Sequence, residues 1–175
     1  MVHVYSSYPA VRLELNGKTI GEQKITAASR LTATFNIEYQ PGILKAIALQ
    51  NGLPVDSVTL QTAGKPAQVM LWADRSTIHS GDGDLSYVTA EIVDENGHLV
   101  PDAAIPLQFS IEGAGKIVAA ANANPSDMES FQRPEHDTFR GKCLIIVGPK
   151  GDPGKIKLKV TGKGLKGGEV TIHTQ

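Results

Sequence analysis

Apolar and polar residues alternate along most of the chain, the two-residue period of a strand with one buried face. Val2-His3-Val4-Tyr5 opens in this way. Val11, Leu13 and Leu15 then alternate with Arg12 and Glu14, and Asn16-Gly17 follows, a strong short-range hairpin signal. Leu31, Ala33, Phe35, Ile37 and Tyr39 predict a further strand that runs up to a turn at Pro41-Gly42. Ile43 to Gln50 is an apolar run closed by Asn51-Gly52, and Val55 to Gln61 completes a set of about six short strands.

Thr62-Ala63-Gly64-Lys65-Pro66 breaks the alternation with small residues, glycine and proline, the composition of a linker. The pattern then resumes. Strands are predicted at Val69 and Leu71, Tyr87 to Val93, Ile105 to Ile111 and Lys116 to Ala121. Cys143 to Val147, Lys155 to Thr161 and Glu169 to His173 complete the second set. Asp94-Glu95-Asn96-Gly97 reads as a turn, and Ser126 to Phe131 has room for one helical turn. No segment sustains a helical period. Many short strands at regular spacing predict an all-β chain of two tandem immunoglobulin-like antiparallel β-sandwich domains. The boundary is expected near Gly64, giving a small sandwich over 1–63 and a larger one over 64–175. One large sandwich is the competing arrangement, and the break at Pro66 favours two.

Composition narrows the function classes. The chain has 175 residues, 41% of them apolar and 20% charged, which suits a packed core and not a disordered chain. Lys and Arg number 17 against 18 Asp and Glu, so no overall positive field favours nucleic acid. A single cysteine, Cys143, leaves no internal disulfide and no Cys-rich zinc site. Cys143 heads the run Leu144-Ile145-Ile146-Val147 and reads as a buried small residue, not a nucleophile. No apolar run approaches the ~20 residues of a membrane-spanning helix. Met1 leads straight into a strand with no basic or apolar leader, so no signal peptide is expected at this start.

Charge is uneven in the second half. Arg140 to Lys166 holds eight basic residues and one acid, Asp152. Lys155, Lys157 and Lys159 alternate with Ile156, Leu158 and Val160, placing the lysines on one strand face. With no aromatics between them, they read as a solvated face and not as a polyanion site. His79-Ser80-Gly81-Asp82-Gly83-Asp84 resembles part of a calcium loop. Its twelfth position from Asp82 is Val93, so Asp82 and Asp84 are weak metal candidates and a tight turn is the simpler expectation. Asp127, Glu129, Glu135 and Asp137 supply carboxylates of the kind glycoside hydrolysis needs, but on a loop that does not fix their separation. Trp72 alternates out of register with Val69 and Leu71, so it points away from the core. It could cover the linker, meet another domain or stack on a sugar. No cofactor motif is present.

The most unusual segment runs from Asn122 to Thr138, a mainly polar stretch of 17 residues without strand periodicity. Loops longer than about 12–15 residues are uncommon in compact domains and tend to carry function. Phe131 sits in its middle between Glu129 and Arg133, the placing of an anchor. Asn122, Asn124, Glu129, Phe131 and Arg133, with Trp72, are the expected interdomain or partner contacts.

These segments carry a family resemblance. Val4-Tyr5-Ser6-Ser7-Tyr8-Pro9 followed by Val11-x-Leu13-x-Leu15-Asn16-Gly17-Lys18-x-x-Gly21 resembles the opening of a small domain in family 2 glycoside hydrolases. Tyr39-Gln40-Pro41-Gly42-Ile43-Leu44-Lys45-Ala46 is similar to a later segment of that domain, and Thr62 to Ala67 to its link onward. Ala73-Asp74-Arg75, Asp84 to Thr89, Asp94 to Gly97, Asn122 to Pro125, Glu129 to Phe131 and Phe139-Arg140-Gly141 resemble the C-terminal immunoglobulin-like domain of the same enzymes. Ala121-Asn122-Ala123-Asn124 departs from the family's usual Gly-Asn-Gly-Asp, which bears on the loop's backbone.

The resemblance covers essentially the whole chain in the right order. It implies the non-catalytic C-terminal region of a retaining β-galactosidase or related β-glycosidase. The catalytic glutamates of such enzymes lie on a preceding TIM barrel that no part of this chain resembles, so no catalytic residue carries over. Implied partners are that barrel and the other domains of the parent, with homo-oligomer contacts through the parent. The resemblance places the parent in the periplasm or outside a bacterial cell. A stand-alone carbohydrate-binding or adhesion module is the alternative.

Overall fold

The computed structural model describes residues 1–81 and 83–175. Its contacts divide the chain into two compact units, Met1–Thr62 and Ala63–Gln175. Among the described residues every regular element is a strand.

The first unit holds β1 (Val2–Tyr5), β2 (Ala10–Leu15), β3 (Lys18–Lys24), β4 (Thr32–Phe35), β5 (Ile43–Gln50) and β6 (Leu53–Gln61). β1 and β4 form a two-stranded sheet, and the other four a sheet of order β3-β2-β5-β6, antiparallel throughout. The two Asn-Gly pairs close hairpins. Asn16 and Gly17 have φ of 52° and 78°, and Asn51 and Gly52 have 53° and 79°, the left-handed pair that matches strand twist. Val11 and Leu13 of β2 bury against Ala33 and Phe35 of β4 and Ala46 of β5. β6 lies outside this core and is exposed along its whole length.

The strand expected up to Tyr39 stops at Phe35. β4 pairs with β1 in the register Val2↔Phe35 to Tyr5↔Thr32, and the residues from Asn36 to Tyr39 lie in no strand. The start is set by Arg30 and Leu31, both left-handed at φ 49° and 61°, which turn the chain into β4.

The second unit holds β7 (Gln68–Ala73), β8 (Thr77–Ile78), β9 (Ser86–Val93), β10 (Pro106–Gly113) and β11 (Gly115–Ala121). β12 (Glu135–Asp137), β13 (Lys142–Pro149), β14 (Gly154–Gly162) and β15 (Gly168–Thr174) follow. One sheet has the order β11-β13-β9-β7 and the other β12-β10-β14-β15-β8. Among the described residues the strands pair antiparallel, except for the short parallel β15–β8 pairing and a parallel bridge between Gln68 and Lys166. Val88, Ala90 and Ile92 of β9 and Ile145 and Val147 of β13 share a core with Leu107, Phe109, Ile156, Leu158, Val160 and Ile172 of the other sheet. This is the alternating inner face of a β-sandwich. β8 and β12 have two and three residues, too short to show a period, and β12 lies inside the stretch expected to be loop.

Asp94 ties the linker to this unit. Its Oδ2 accepts from the Gly64 amide at 2.7 Å, and its Oδ1 from the amides of Asn96 and His98 at 2.9 Å each. These amides, with His98 Nδ1 at 3.3 Å, hold the carboxyl well below its ordinary 3.8, at about 2.

Candidate functional site

The segment from Asn122 to Thr138 leaves β11 and returns through β12, and short side chains pin it from within. Asn122 Oδ1 accepts from the Asn124 amide at 2.9 Å, Asn124 Oδ1 from Ser126 at 3.0 Å and Asp127 Oδ1 from Glu129 at 2.9 Å. Three such Asx turns in series give the backbone hydrogen bonds that strand pairing would otherwise supply. They also stand where a helical turn was expected, since 126–131 contains no helical residue.

Anchors fix the arch to the sheets. Asn122 Nδ2 donates to Asp137 O at 2.9 Å, and Gln132 Nε2 to Val118 O at 3.0 Å. The Ala120 amide of β11 donates to Phe131 O at 2.8 Å. Arg133 pairs with Glu129 and, at 2.8 Å, with Glu135. The loop's two glutamates are therefore bound to one guanidinium.

Sequence reasoning missed His136, which lies under this arch and is 1% exposed. Its Nε2 is 3.1 Å from Ser130 O. Its Nδ1 has no hydrogen-bond partner among the described residues and faces Asp127 Oδ2 at 3.9 Å and Glu129 Oε2 at 3.8 Å. The three-residue strand that inserts it carries no sequence period long enough to reveal which side chain points inward.

With its backbone so held, the arch presents its apolar side chains to solvent: Phe131 is 60% exposed and Met128 is 94% exposed. The structure thus brings Asn122, Asn124, Glu129, Phe131 and Arg133 into one element. Trp72 belongs to another surface. It lies on β7, opposite Thr89 of β9, and Tyr87 follows two residues along on the same outward face. Trp72 is 55% exposed there.

The other candidates resolve into local structure. Asp84 accepts from the His79 amide at 2.7 Å and from Arg75 at 2.8 Å, and both donors hold its carboxyl below the usual range. Any cation at Asp84 would compete with that guanidinium. Asp82, the other weak metal candidate, lies outside the described residues. On β14, Lys157 pairs with Glu169 at 2.9 Å and Lys159 with Glu112 at 2.6 Å. Two of the three lysines on this face are thus paired with glutamates of neighbouring strands. Cys143 is buried, and burial pushes its thiol up to about 12, the state of a packing residue.

Comparison with known proteins places both units. Residues 69–171 match the glycoside hydrolase family 2 C-terminal domain 5, and residues 1–56 match a domain of unknown function, DUF4982. The chain is 36% identical over 171 residues to the beta-galactosidase BoGH2A of Bacteroides ovatus, covering 98% of this chain and 20% of that protein. A putative beta-glucuronidase of Formosa agariphila is 29% identical over 148 residues, covering 83% of this chain and 14% of that protein. A crystal structure of a glycosyl hydrolase family 2 member from Bacteroides cellulosilyticus superposes with a TM-score of 0.94 at 38% identity, covering 99% of this chain and 22% of that one. The chain thus spans about one fifth of the length of these two Bacteroides relatives. A two-unit all-β chain that matches the family's C-terminal domain over more than half its length belongs to glycoside hydrolase family 2.

Proposed function

We propose that this chain is a non-catalytic C-terminal region of a β-galactosidase-like glycoside hydrolase, and that it supports the catalytic barrel, the rim of the active site or the oligomer. The observation that carries the reading is the pinned arch over 122–138 with its exposed tip, Met128 and Phe131. A loop held by its own Asx turns and ion pairs costs little conformational entropy on docking. An apolar side chain on such a support is an interface anchor in form. The identities of the relatives support a β-glycosidase as the parent, with its chemistry on residues outside this chain.

The test is Phe131→Ala in the full-length enzyme. Truncating a docking anchor costs about 2 kcal/mol of interface energy. The expected result is a lower melting temperature, a shift in oligomeric state or a raised KM, while the same substitution in the 175-residue chain leaves its melting temperature unchanged. A full-length variant with stability, assembly and KM all unaltered would overturn the assignment of this loop.

A further inference from the structure

The first unit contains a cavity that the supporting role does not use. Its two sheets are unequal: two strands stand over four, so the inner face of β5 and β6 is only partly covered. The register places Val11, Ala48 and Asp56 in one row across β2, β5 and β6, and Leu13, Ala46 and Val58 in the next. The two alanines are too small to fill the space that β1 and β4 leave open. The result is a cavity of about 290 Å³, toward the small end of the volumes that hold small-molecule ligands.

Its floor is apolar, with Val11, Ala46 and Ala48. One rim is the end of β1 and the turn after it, where Tyr5 and Tyr8 flank the opening. That rim is fixed, because Ser6 Oγ accepts from the Tyr8 amide at 3.1 Å and the Ser6 amide donates to Leu31 O at 2.9 Å. The other rim is β6, with Asp56, Ser57 and Val58. Asp56 accepts only from the Ser57 amide, at 2.8 Å, and has no ion pair among the described residues. The Tyr5, Tyr8, Ser7 and Ser57 hydroxyls have no protein partner among the described residues.

We infer that this cavity is a binding site for a neutral pyranose, as a single sugar or the end of a glycan chain. A pyranose has one apolar C–H face and a circumference of hydroxyls. The apolar floor and the tyrosine rings suit the first, and a carboxylate acceptor with convergent hydroxyls suits the second. No lysine or arginine lines the cavity, and Asp56 repels anions. The site therefore selects a neutral sugar over a uronic acid or a phosphate. This inference is independent of the docking role proposed for the 122–138 arch.

The test is a titration of the isotopically labelled 175-residue chain with methyl β-galactopyranoside, methyl β-glucopyranoside and glucuronic acid, read by amide chemical shifts. Saturable shifts are expected with at least one neutral glycoside in the millimolar range, centred on residues 5–8 and 56–58. Tyr5→Ala and Asp56→Asn each weaken binding about tenfold or more, a loss of about 1.4 kcal/mol. Both positions are solvent-exposed, so neither substitution disturbs the core. Trp72→Ala, in the other unit, leaves the affinity unchanged. No saturable response to either neutral glycoside would overturn the inference. So would shifts that survive both substitutions, or a glucuronate response as strong as that to the neutral sugars. A cavity that instead seats another domain of the parent gives the first of these overturning results, together with a fall in full-length stability on Tyr5→Ala.

Discussion

Single residues join segments that the sequence keeps apart. Asn16 is one. It starts the β2–β3 turn, while its side chain donates to Pro41 O at 3.1 Å and accepts from the Ile43 amide at 2.8 Å. Two turn motifs, each legible alone, are thus clasped together. Gly42 is required at the clasp. It has φ of 134°, and a Cβ there would sit 1.9 Å from Asn16 Oδ1. Asp94 does the same for the linker and its own turn. Its depressed carboxyl sets a pH dependence. A carboxyl at about 2 when folded and near 3.8 when unfolded stabilises the fold fully above that ordinary value. The contribution fades as pH falls through this window. Acid melting curves are expected to show a steeper loss of melting temperature between pH 3.8 and 2 for the native chain than for Asp94→Asn. Parallel curves would refute the role. Cys143 was legible as a packing residue from its apolar run. His136 was not, because nothing in Glu135-His136-Asp137 distinguishes an inward histidine from an exposed one.

At the scale of elements, period and turn chemistry were legible, and strand ends were not. Both Asn-Gly hairpins lie where the dipeptides placed them. β4 covers only part of its alternating residues, the four that pair with β1. β8 and β12 escape a pattern search because two or three residues define no period. The loop at 122–138 stood out by length and polarity, but its Asx ladder and its buried histidine emerge only in three dimensions. β14 gives the sharpest test of the two-faced reading. Leu158 is fully buried, while Lys157 on the opposite face is half exposed and paired with Glu169. Leu158→Ala is expected to cost about 2–5 kcal/mol in denaturant unfolding. Lys157→Ala is expected to cost about 1 kcal/mol or less, because exposed pairs contribute little. Similar costs for both would show that the faces are wrongly assigned.

For the whole molecule, the segments carried a family resemblance from end to end, and the matches to residues 1–56 and 69–171 cover the same ground. What a sequence of this kind leaves silent is chemistry. The carboxylates of Asp127, Glu129 and Glu135 in the 122–138 arch are held in an Asx turn and ion pairs, Lys157 and Lys159 meet glutamates, and the thiol is buried, so the chain's surfaces rather than its reactive groups point to function. The two surfaces of interest differ in kind. The arch at 122–138 is a rigid support with apolar tips, suited to another domain, whereas the cavity of the first unit is concave and polar-rimmed, suited to a small neutral molecule. The central claim is that this chain works as part of a much longer glycoside hydrolase. The most direct measurement is the size of the native protein in its source cells, detected with an antibody raised against this chain. The account predicts a band several times heavier than the 18.6 kDa of the chain itself. A sole band at 18.6 kDa would contradict it and make the chain an independent protein.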